Sequence, residues 1–126
     1  MGTKPQISAD LIVVGPAQMD FDECSIAVGL TPTRTWRSKV ITLPISEWGV
    51  GFGKREYDSI ELALSELLDI IANHKERVRQ FAALKNYAVM VVCAVTVWEN
   101  PPLYEISPSI IKTLAEMEAK FILHIQ

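Results

Sequence analysis

The chain has 126 residues, 49% of them apolar, and a net charge of −3, so it is long enough to fold as one domain around its own core. Its longest apolar run, Ala88 to Val95, is too short to cross a bilayer, which excludes a membrane span. The start of the chain lacks the apolar segment of a signal peptide, and we therefore expect a cytoplasmic protein.

The first predicted element is a short strand, Asp10 to Gly15, which follows a disordered terminus covering residues 1–9. Its continuous apolar run predicts burial on both faces. Asp20 or Asp22 is placed to cap a following helix. Gly29 stands where a left-handed residue commonly ends a helix, so we expect the first helix to stop there.

Two strands are predicted next. Thr35 to Leu43 mixes apolar and polar residues, which is typical of an exposed or edge strand, and Pro44 ends it. Trp48, Val50 and Phe52 then alternate with three glycines, which predicts a strand with one bulky face. The glycine face is expected either to bend or to lie under a close neighbour.

A long helical region follows. Asp58 and Glu61 have the spacing of a capping box, and leucines recur behind them at helical intervals. Asn73-His74 predicts a break, after which a second helix continues to Leu84.

The last predicted elements are a strand, a helix and a strand. Tyr87 to Trp98 is apolar on both alternating faces and should lie inside a sheet. Ser107 as N-cap and Pro108 at the first position start the last helix. Lys120 to Gln126 is the terminal strand. Its inward face is predicted to consist of Phe121, Leu123 and Ile125.

This order of elements predicts an α+β fold in a single domain over residues 10–126. The first six elements match the ferredoxin-like β-α-β-β-α-β pattern, and the last helix and strand extend it. We expect a mainly antiparallel sheet with helices on one face.

Four features of the chain are also those of a known family. They are Gly29-Leu30-Thr31-Pro32-Thr33, Trp48, the leucine-rich run Leu62 to Ile71, and the tail from Ile106-Ser107-Pro108 to Ile125. In these features the chain resembles the bacterial family known as domain of unknown function 4279, over nearly its whole length. The resemblance implies a small α+β domain with no assigned activity, and it carries over no catalytic residue.

The basic residues concentrate in one short segment. Five basic residues and one acidic residue lie between Arg34 and Arg55. Aromatic residues alternate with these cations on two neighbouring predicted strands. We predict a binding surface that consists of Trp36, Arg37, Lys39, Trp48, Phe52, Lys54 and Arg55.

Three interpretations of this segment compete. Trp and Arg are enriched at protein-binding hot spots, which favours a protein partner. Sheets also bind single-stranded nucleic acid by stacking bases on aromatics, but the first strand, Leu11 to Val14, offers no aromatic residue, so nucleic-acid binding is disfavoured. In the third interpretation, Trp48 and Phe52 pack in the core beneath the long helix.

The sequence contains no recognisable motif for catalysis or metal binding. Gly49 to Lys54 lacks the spacing of a phosphate-binding loop and its following Ser or Thr. Neither His74 nor His124 has a neighbour with which it forms a recognisable catalytic dyad. Cys24 and Cys93 are too far apart in sequence for a zinc or redox motif, which predicts free thiols. We therefore expect no catalytic residue, no metal and no cofactor.

These observations favour a non-catalytic protein-binding module, and by analogy an immunity protein that neutralises a toxin. One alternative is an enzyme or small-molecule binder with a pocket between sheet and helices near Cys93, His124 or Tyr104. Another is a homodimer formed through a sheet face or an edge strand. The apolar residues that suggest the homodimer are Ile12, Val14 and Ile122.

Overall fold

The computed structural model describes residues 4–40, 42 and 44–126. Within these residues it contains five strands and four helices. The strands are β1 (Gln6–Pro16), β2 (Arg34–Arg37), β3 (Ile45–Glu56), β4 (Ala88–Thr96) and β5 (Lys120–Ile125). The helices are α1 (Phe21–Val28), α2 (Ile60–Ile70), α3 (Lys75–Lys85) and α4 (Pro108–Glu116).

The strands form one open sheet in the order β2-β3-β1-β4-β5. Neighbouring strands are antiparallel except for β4 and β5, which are parallel. The predicted α+β class with a mainly antiparallel sheet is therefore confirmed.

The middle strand, β1, is longer than predicted. Gln6 to Ala9 pair with β4, so these residues belong to the sheet and not to the predicted disordered terminus, whose first three residues lie outside the described part of the chain. Leu11 and Val13 are fully buried on one face, and Ile12 is buried on the other. The predicted burial on both faces is therefore only partly right: Ile12 is buried, but Asp10 and Val14 on the same face are only half-buried, because no described helix packs over that face.

The first helix starts and ends at local sequence signals. The Asp20 carboxylate accepts hydrogen bonds from the backbone amides of Asp22 and Glu23, at 2.9 and 3.2 Å, so Asp20 is the N-cap. Gly29 follows the helix with φ of +80°, a left-handed conformation that glycine adopts without strain. Both ends lie where the sequence predicts them.

The C-terminal carbonyls of α1 are held by side chains of the α3 region. Arg77 donates from Nε to the Ala27 carbonyl and from a terminal nitrogen to the Ile26 carbonyl, each at 2.8 Å. His74 Nδ1 lies 2.8 Å from the Val28 carbonyl oxygen. Helix ends leave such carbonyls without an intrahelical partner, so these contacts satisfy them and join α1 to α3.

The two strands after α1 differ from the prediction in length. β2 covers four residues, and the predicted continuation through Lys39 and Val40 is not strand, while Ile41 and Leu43 lie outside the described residues. β3 runs through twelve residues because it pairs with both β2 and β1. The predicted edge position of β2 is confirmed.

The long helical region contains the predicted break, but its cap differs. Ser59 is the N-cap of α2, and its hydroxyl accepts from the Leu62 amide. The Glu61 carboxylate accepts instead from the amide of Ser107, at the start of α4. The capping box from Asp58 to Glu61 is therefore wrong, because Glu61 satisfies a different helix end.

The alternating residues of each strand define two faces of the sheet. In register, Leu11 lies opposite Val50 and Val91, and all three are buried in the core cluster with the inner sides of the helices. β5 is covered less completely: Leu123 is 37% exposed and Ile125 53% exposed, although they share this face. The residues that alternate with these point to the opposite face of the sheet, and on β1 they include Asp10 and Ile12. No described helix covers this face, and we call it the open face.

Candidate interaction surface on the open face

The seven residues of the predicted binding surface do not lie together. Two of them are buried in the core, two contact the protein's own loops and helices, one lies after β2, and two lie on the open face. In that order they are Trp48 and Phe52, Arg37 and Arg55, Lys39, and Trp36 and Lys54.

Trp48 and Phe52 are core residues. Trp48 is fully buried, and its Nε1 donates to the Ser25 hydroxyl at 3.0 Å. Phe52 packs near Tyr57, with ring centroids 6.1 Å apart. The core alternative is therefore the one the structure shows for these two residues, and they are not available to touch a partner.

Arg37 fastens the loop before α1. Its terminal nitrogens donate to the carbonyls of Ala17 and Met19, at 2.5 and 2.7 Å, and to the buried Ser46 hydroxyl at 2.9 Å. Its guanidinium carbon lies 4.0 Å from the centroid of the Phe21 ring. Because these contacts all join Arg37 to its own chain, the residue has a structural role.

Arg55 lies on the helix side of the sheet. Its guanidinium carbon lies over the Phe52 ring, 4.4 Å from the ring centroid, and a terminal nitrogen donates to the Glu66 carboxylate at 3.0 Å. The same carboxylate accepts a hydrogen bond from the Tyr57 hydroxyl. Lys39 is exposed in the segment after β2. Arg55 therefore does not belong to the open face, whereas Lys39 lines a hollow together with Trp36.

Trp36 and Lys54 do lie on the open face. Trp36 pairs with Glu47 across β2 and β3 and is 46% exposed. Lys54 follows Gly53 at a register shift between β3 and β1, and its ammonium group donates to Thr96 and Gln126 on the far side of β1. These two residues keep the predicted combination of an aromatic ring and a cation, but at separate places on the face.

The sequence-based set also misses charged residues of this face, among them Arg34, Glu47 and Asp10. Arg34 and Glu47 form an ion pair at 3.2 Å, and Asp10 lies near enough to Arg34 for their charges to interact. Burial raises the pKa of the Asp10 carboxyl, and the nearby Arg34 charge opposes that shift. The alternation of side chains along β1 and β2 places Asp10 and Arg34 opposite the core side, and this period of two was the available signal.

A hollow on this face lies above the glycines of β3. Gly51 is opposite Asp10, and a Cβ added there would overlap with the Ala9 carbonyl oxygen and the Asp10 carboxylate. The predicted close neighbour of the glycine face is confirmed at this position. The hollow has a volume of about 320 Å³. It is lined by Ser8, Asp10, Thr33, Arg34, Gly51, Phe52, Gly53 and Lys54.

The middle of the open face is apolar. Asp10 lies opposite Val92, which lies opposite Ile122, and Ile12 lies opposite Met90. We call the six apolar residues of this face the apolar centre. They are Ile12, Val14, Met90, Val92, Ala94 and Ile122. Five of the six remain partly exposed, since no described helix packs over them.

Charged residues surround the apolar centre at both ends. Lys120 lies opposite Met90 at one end, and Lys54 reaches Thr96 at the other. Glu47 and Glu56 also lie on this face, through their pairing with β1. An apolar middle with a charged rim is the usual anatomy of a protein interface.

The other candidate reactive groups have structural positions. Burial raises the pKa of the Cys24 and Cys93 thiols to about 11, so both are protonated and poorly nucleophilic near neutral pH. His124 is exposed on β5. None of five open hollows on the described surface is lined by Cys93, His124 or Tyr104.

The described residues offer neither a metal cluster nor a membrane-spanning helix. Residues 4–40, 42 and 44–126 contain no group of three His, Cys, Asp or Glu side chains arranged to hold a metal ion. Within the same ranges, no helix has the length and apolar character needed to cross a membrane.

Comparison with known proteins places the chain in a family. Neither the curated proteins nor the solved structures gave a match. One family model matches residues 5–126, a range that includes all the strands and helices named above. The chain therefore belongs to the family described as Domain of unknown function (DUF4279).

Proposed function

We propose that this domain is a non-catalytic protein-binding module and that it binds its partner through the open face. The observation that carries the proposal is the apolar centre, which lies on a sheet face that no described helix covers. An antiparallel sheet with one solvated face normally alternates apolar residues with polar ones on that face. An apolar solvated face is therefore better explained by a partner that covers it.

The charged residues around the apolar centre indicate which charges the partner should carry. Lys54 and Lys120 lie at opposite ends of the apolar centre, whereas Arg34 is already paired with Glu47. Asp10 is partly buried, burial raises the pKa of its carboxyl, and the nearby Arg34 charge opposes that shift. The expected partner is a protein whose apolar patch has a carboxylate opposite Lys120 at one end and groups of both charges opposite Lys54 and Glu56 at the other.

An immunity protein that binds and neutralises a toxin is one form of such a module. Its support is general: a rigid sheet face held by a filled core presents its side chains at fixed positions, which favours tight and specific binding. The same face would also suit other regulatory binding, and the identity of the captured partner decides between them.

We further propose that the first four strands are ferredoxin-like. The support is their order, in which β3 lies between β2 and β1, and β1 lies between β3 and β4, with every neighbour antiparallel. This order gives two split β-α-β units, and β5 then adds to the edge beside β4.

The test is capture from lysate with matched charge variants. The wild-type protein, a Lys54→Glu/Lys120→Glu variant and a Lys75→Glu/Lys112→Glu control carry the same tag. The control makes the same change in net charge on α3 and α4, away from the open face. Circular dichroism verifies that all three are folded.

The proposal predicts a stoichiometric partner that the wild type and the control retain and the open-face variant loses. A Val92→Lys variant should lose it as well, because this change places a charge in the apolar centre. Equal retention by all variants would show that the surface is wrong. Recovery of each bait without a partner would count against the binding function itself.

A small-molecule function has one observation in its favour, the hollow of about 320 Å³ above Gly51. Arg34, Lys54 and two hydroxyl residues line it, so a small anion-bearing molecule is the fitting ligand class. A thermal-shift screen with such molecules tests this alternative. A stabilising ligand whose effect disappears in a Lys54→Ala variant would favour it over protein binding.

A further inference from the structure

The two edge strands of the sheet differ in a way that affects self-association. β2 has four residues, of which Arg34 and Arg37 are charged, and it is short and polar as protected edges usually are. β5 has six residues, four of them apolar, and contains neither proline nor a register shift. In the described part of the chain, β5 pairs with β4 alone. Its outer side is an unprotected edge.

The parallel pairing determines which backbone groups of β5 face outward. The Gln126 amide donates to the Val95 carbonyl at 2.7 Å. Backbone groups alternate between the two sides of a strand, so the even-numbered residues point towards β4. The N–H and C=O groups of Phe121, Leu123 and Ile125 therefore point to the free edge.

Antiparallel pairing of β5 with a second β5 has one register centred on Leu123. In that register Leu123 faces Leu123 of the other copy, and Phe121 faces Ile125 on the helix side of the sheet. On the open face, Ile122 faces His124 and Lys120 faces Gln126. The one Lys of the strand thus meets a neutral amide, so no like charges oppose each other.

This pairing also removes apolar surface from water. Leu123 and Ile125 are 37% and 53% exposed, although they share a face with the buried residues of β4. Each would gain an apolar neighbour directly opposite, Leu123 or Phe121. The proposed register therefore pairs the apolar residues of β5 that are exposed in a single copy.

We propose that the protein forms a homodimer in which the β5 strands of two copies pair antiparallel about a two-fold axis at Leu123. The two sheets become one continuous sheet of ten strands, since each copy contributes five. Residues directly opposite each other in a ladder share a face, so both helix layers lie on one side and both open faces on the other. The dimer does not depend on the proposed protein-binding function. If that function is right, each dimer would present two open faces and could bind a partner bivalently.

Cysteine cross-linking tests the register. Across the two-fold axis the Cα atoms of position 123 lie about 5.5 Å apart, within the range that a disulfide spans. The two copies of position 125 are four residues out of register, which separates them by at least about 13 Å along the strand. Cys24 and Cys93 are buried, so they should not form intermolecular disulfides that confuse the result.

Under mild oxidation Leu123→Cys should form a covalent dimer, whereas the matched Ile125→Cys control should remain largely monomeric on a non-reducing gel. The reverse result would overturn the register. Equal failure of both variants in a protein that is dimeric by sedimentation would place the interface elsewhere and overturn the proposal.

Sedimentation equilibrium provides a second, independent measurement. Wild type should be in a concentration-dependent equilibrium, and Leu123→Lys should weaken the dimer at least tenfold, because two ammonium groups then face each other at the axis. Ile26→Lys places the same charge at an exposed apolar position of α1 and should leave the equilibrium unchanged. A wild-type protein that stays monomeric at millimolar concentration would overturn the proposal.

Discussion

Gly51 lies directly opposite Asp10 in the ladder between β3 and β1, and the Asp10 carboxylate occupies the space that a side chain at position 51 would need. The absence of a side chain at Gly51 therefore lets a charged group of the neighbouring strand lie flat against the sheet. This relationship connects the backbone of β3 with the electrostatics of the open face.

Replacement of Gly51 by alanine should destabilise the fold. The added methyl group overlaps with the Ala9 carbonyl oxygen, which is backbone and cannot move without distorting β1. We expect a loss of about 1–3 kcal/mol in the free energy of unfolding, as for other overpacked sites. Urea denaturation followed by circular dichroism measures it.

Gly53→Ala is the matched control, because a Cβ at Gly53 has no neighbouring atom within 4 Å. It should change the free energy of unfolding by less than about 0.5 kcal/mol, as for other exposed sites. If both variants lost the same free energy of unfolding, the loss would come from reduced backbone freedom and not from overlap with Ala9.

Asp10→Asn should make the protein more stable at neutral pH. Burial raises the folded-state pKa of Asp10 above its unfolded value, so the folded state binds the proton more tightly. Stability from this group is therefore fully present at low pH and is lost as the pH rises through the raised pKa. The difference between the Asn variant and wild type should shrink as the pH falls towards about 4.

Urea denaturation at several pH values measures this difference, and Asp69→Asn on the exposed side of α2 serves as the control. An Asn variant that is less stable than wild type at neutral pH would show that attraction to Arg34 outweighs the cost of burial.

Arg37→Ala should destabilise the protein, whereas Lys39→Ala should not. Arg37 donates to the Ala17 and Met19 carbonyls and to Ser46, and these contacts hold the loop before α1. We expect a loss of about 1–3 kcal/mol, in the range of hydrogen bonds that involve charged groups. Thermal denaturation of both variants checks this, and an unchanged midpoint for Arg37→Ala would contradict it.

Fluorescence quenching should separate the three tryptophans. Trp36 and Trp98 are 46% and 63% exposed, while Trp48 is fully buried. Iodide should therefore quench part of the wild-type emission, and the unquenched part should disappear in a Trp48→Phe variant. If partner binding uses the open face, it should shield Trp36 from iodide.

Local signals predicted both ends of α1, the start of α4 and the helical break, but not the cap of α2. The cap at Asp20, the left-handed Gly29 and the Ser107-Pro108 start each depend on neighbouring residues and lie where the sequence places them. The break between α2 and α3 also lies at the predicted position. Such features need no knowledge of the sheet.

The binding surface could not be predicted in this way, because it depends on strand order. Trp36 and Trp48 both belong to strands with aromatic and polar residues, but Trp48 faces the helices and Trp36 faces the open side. Asp10 is one carboxylate inside an apolar strand, and Arg34, whose charge influences it, comes from a strand two positions away in the sheet. The local spacing assigns Glu61 to its own helix, because its actual partner, Ser107, is distant in sequence.

The central position of β1 has a consequence for synthesis. Leu11 lies opposite Val50 on one side and Val91 on the other, so β1, which is synthesised before the other strands of this sheet, completes its pairing only when β4 has followed. Until then one long apolar edge of β1 remains open, and such edges promote aggregation of nascent chains. The chain should therefore depend on chaperones during translation more than a protein whose first strands pair with each other.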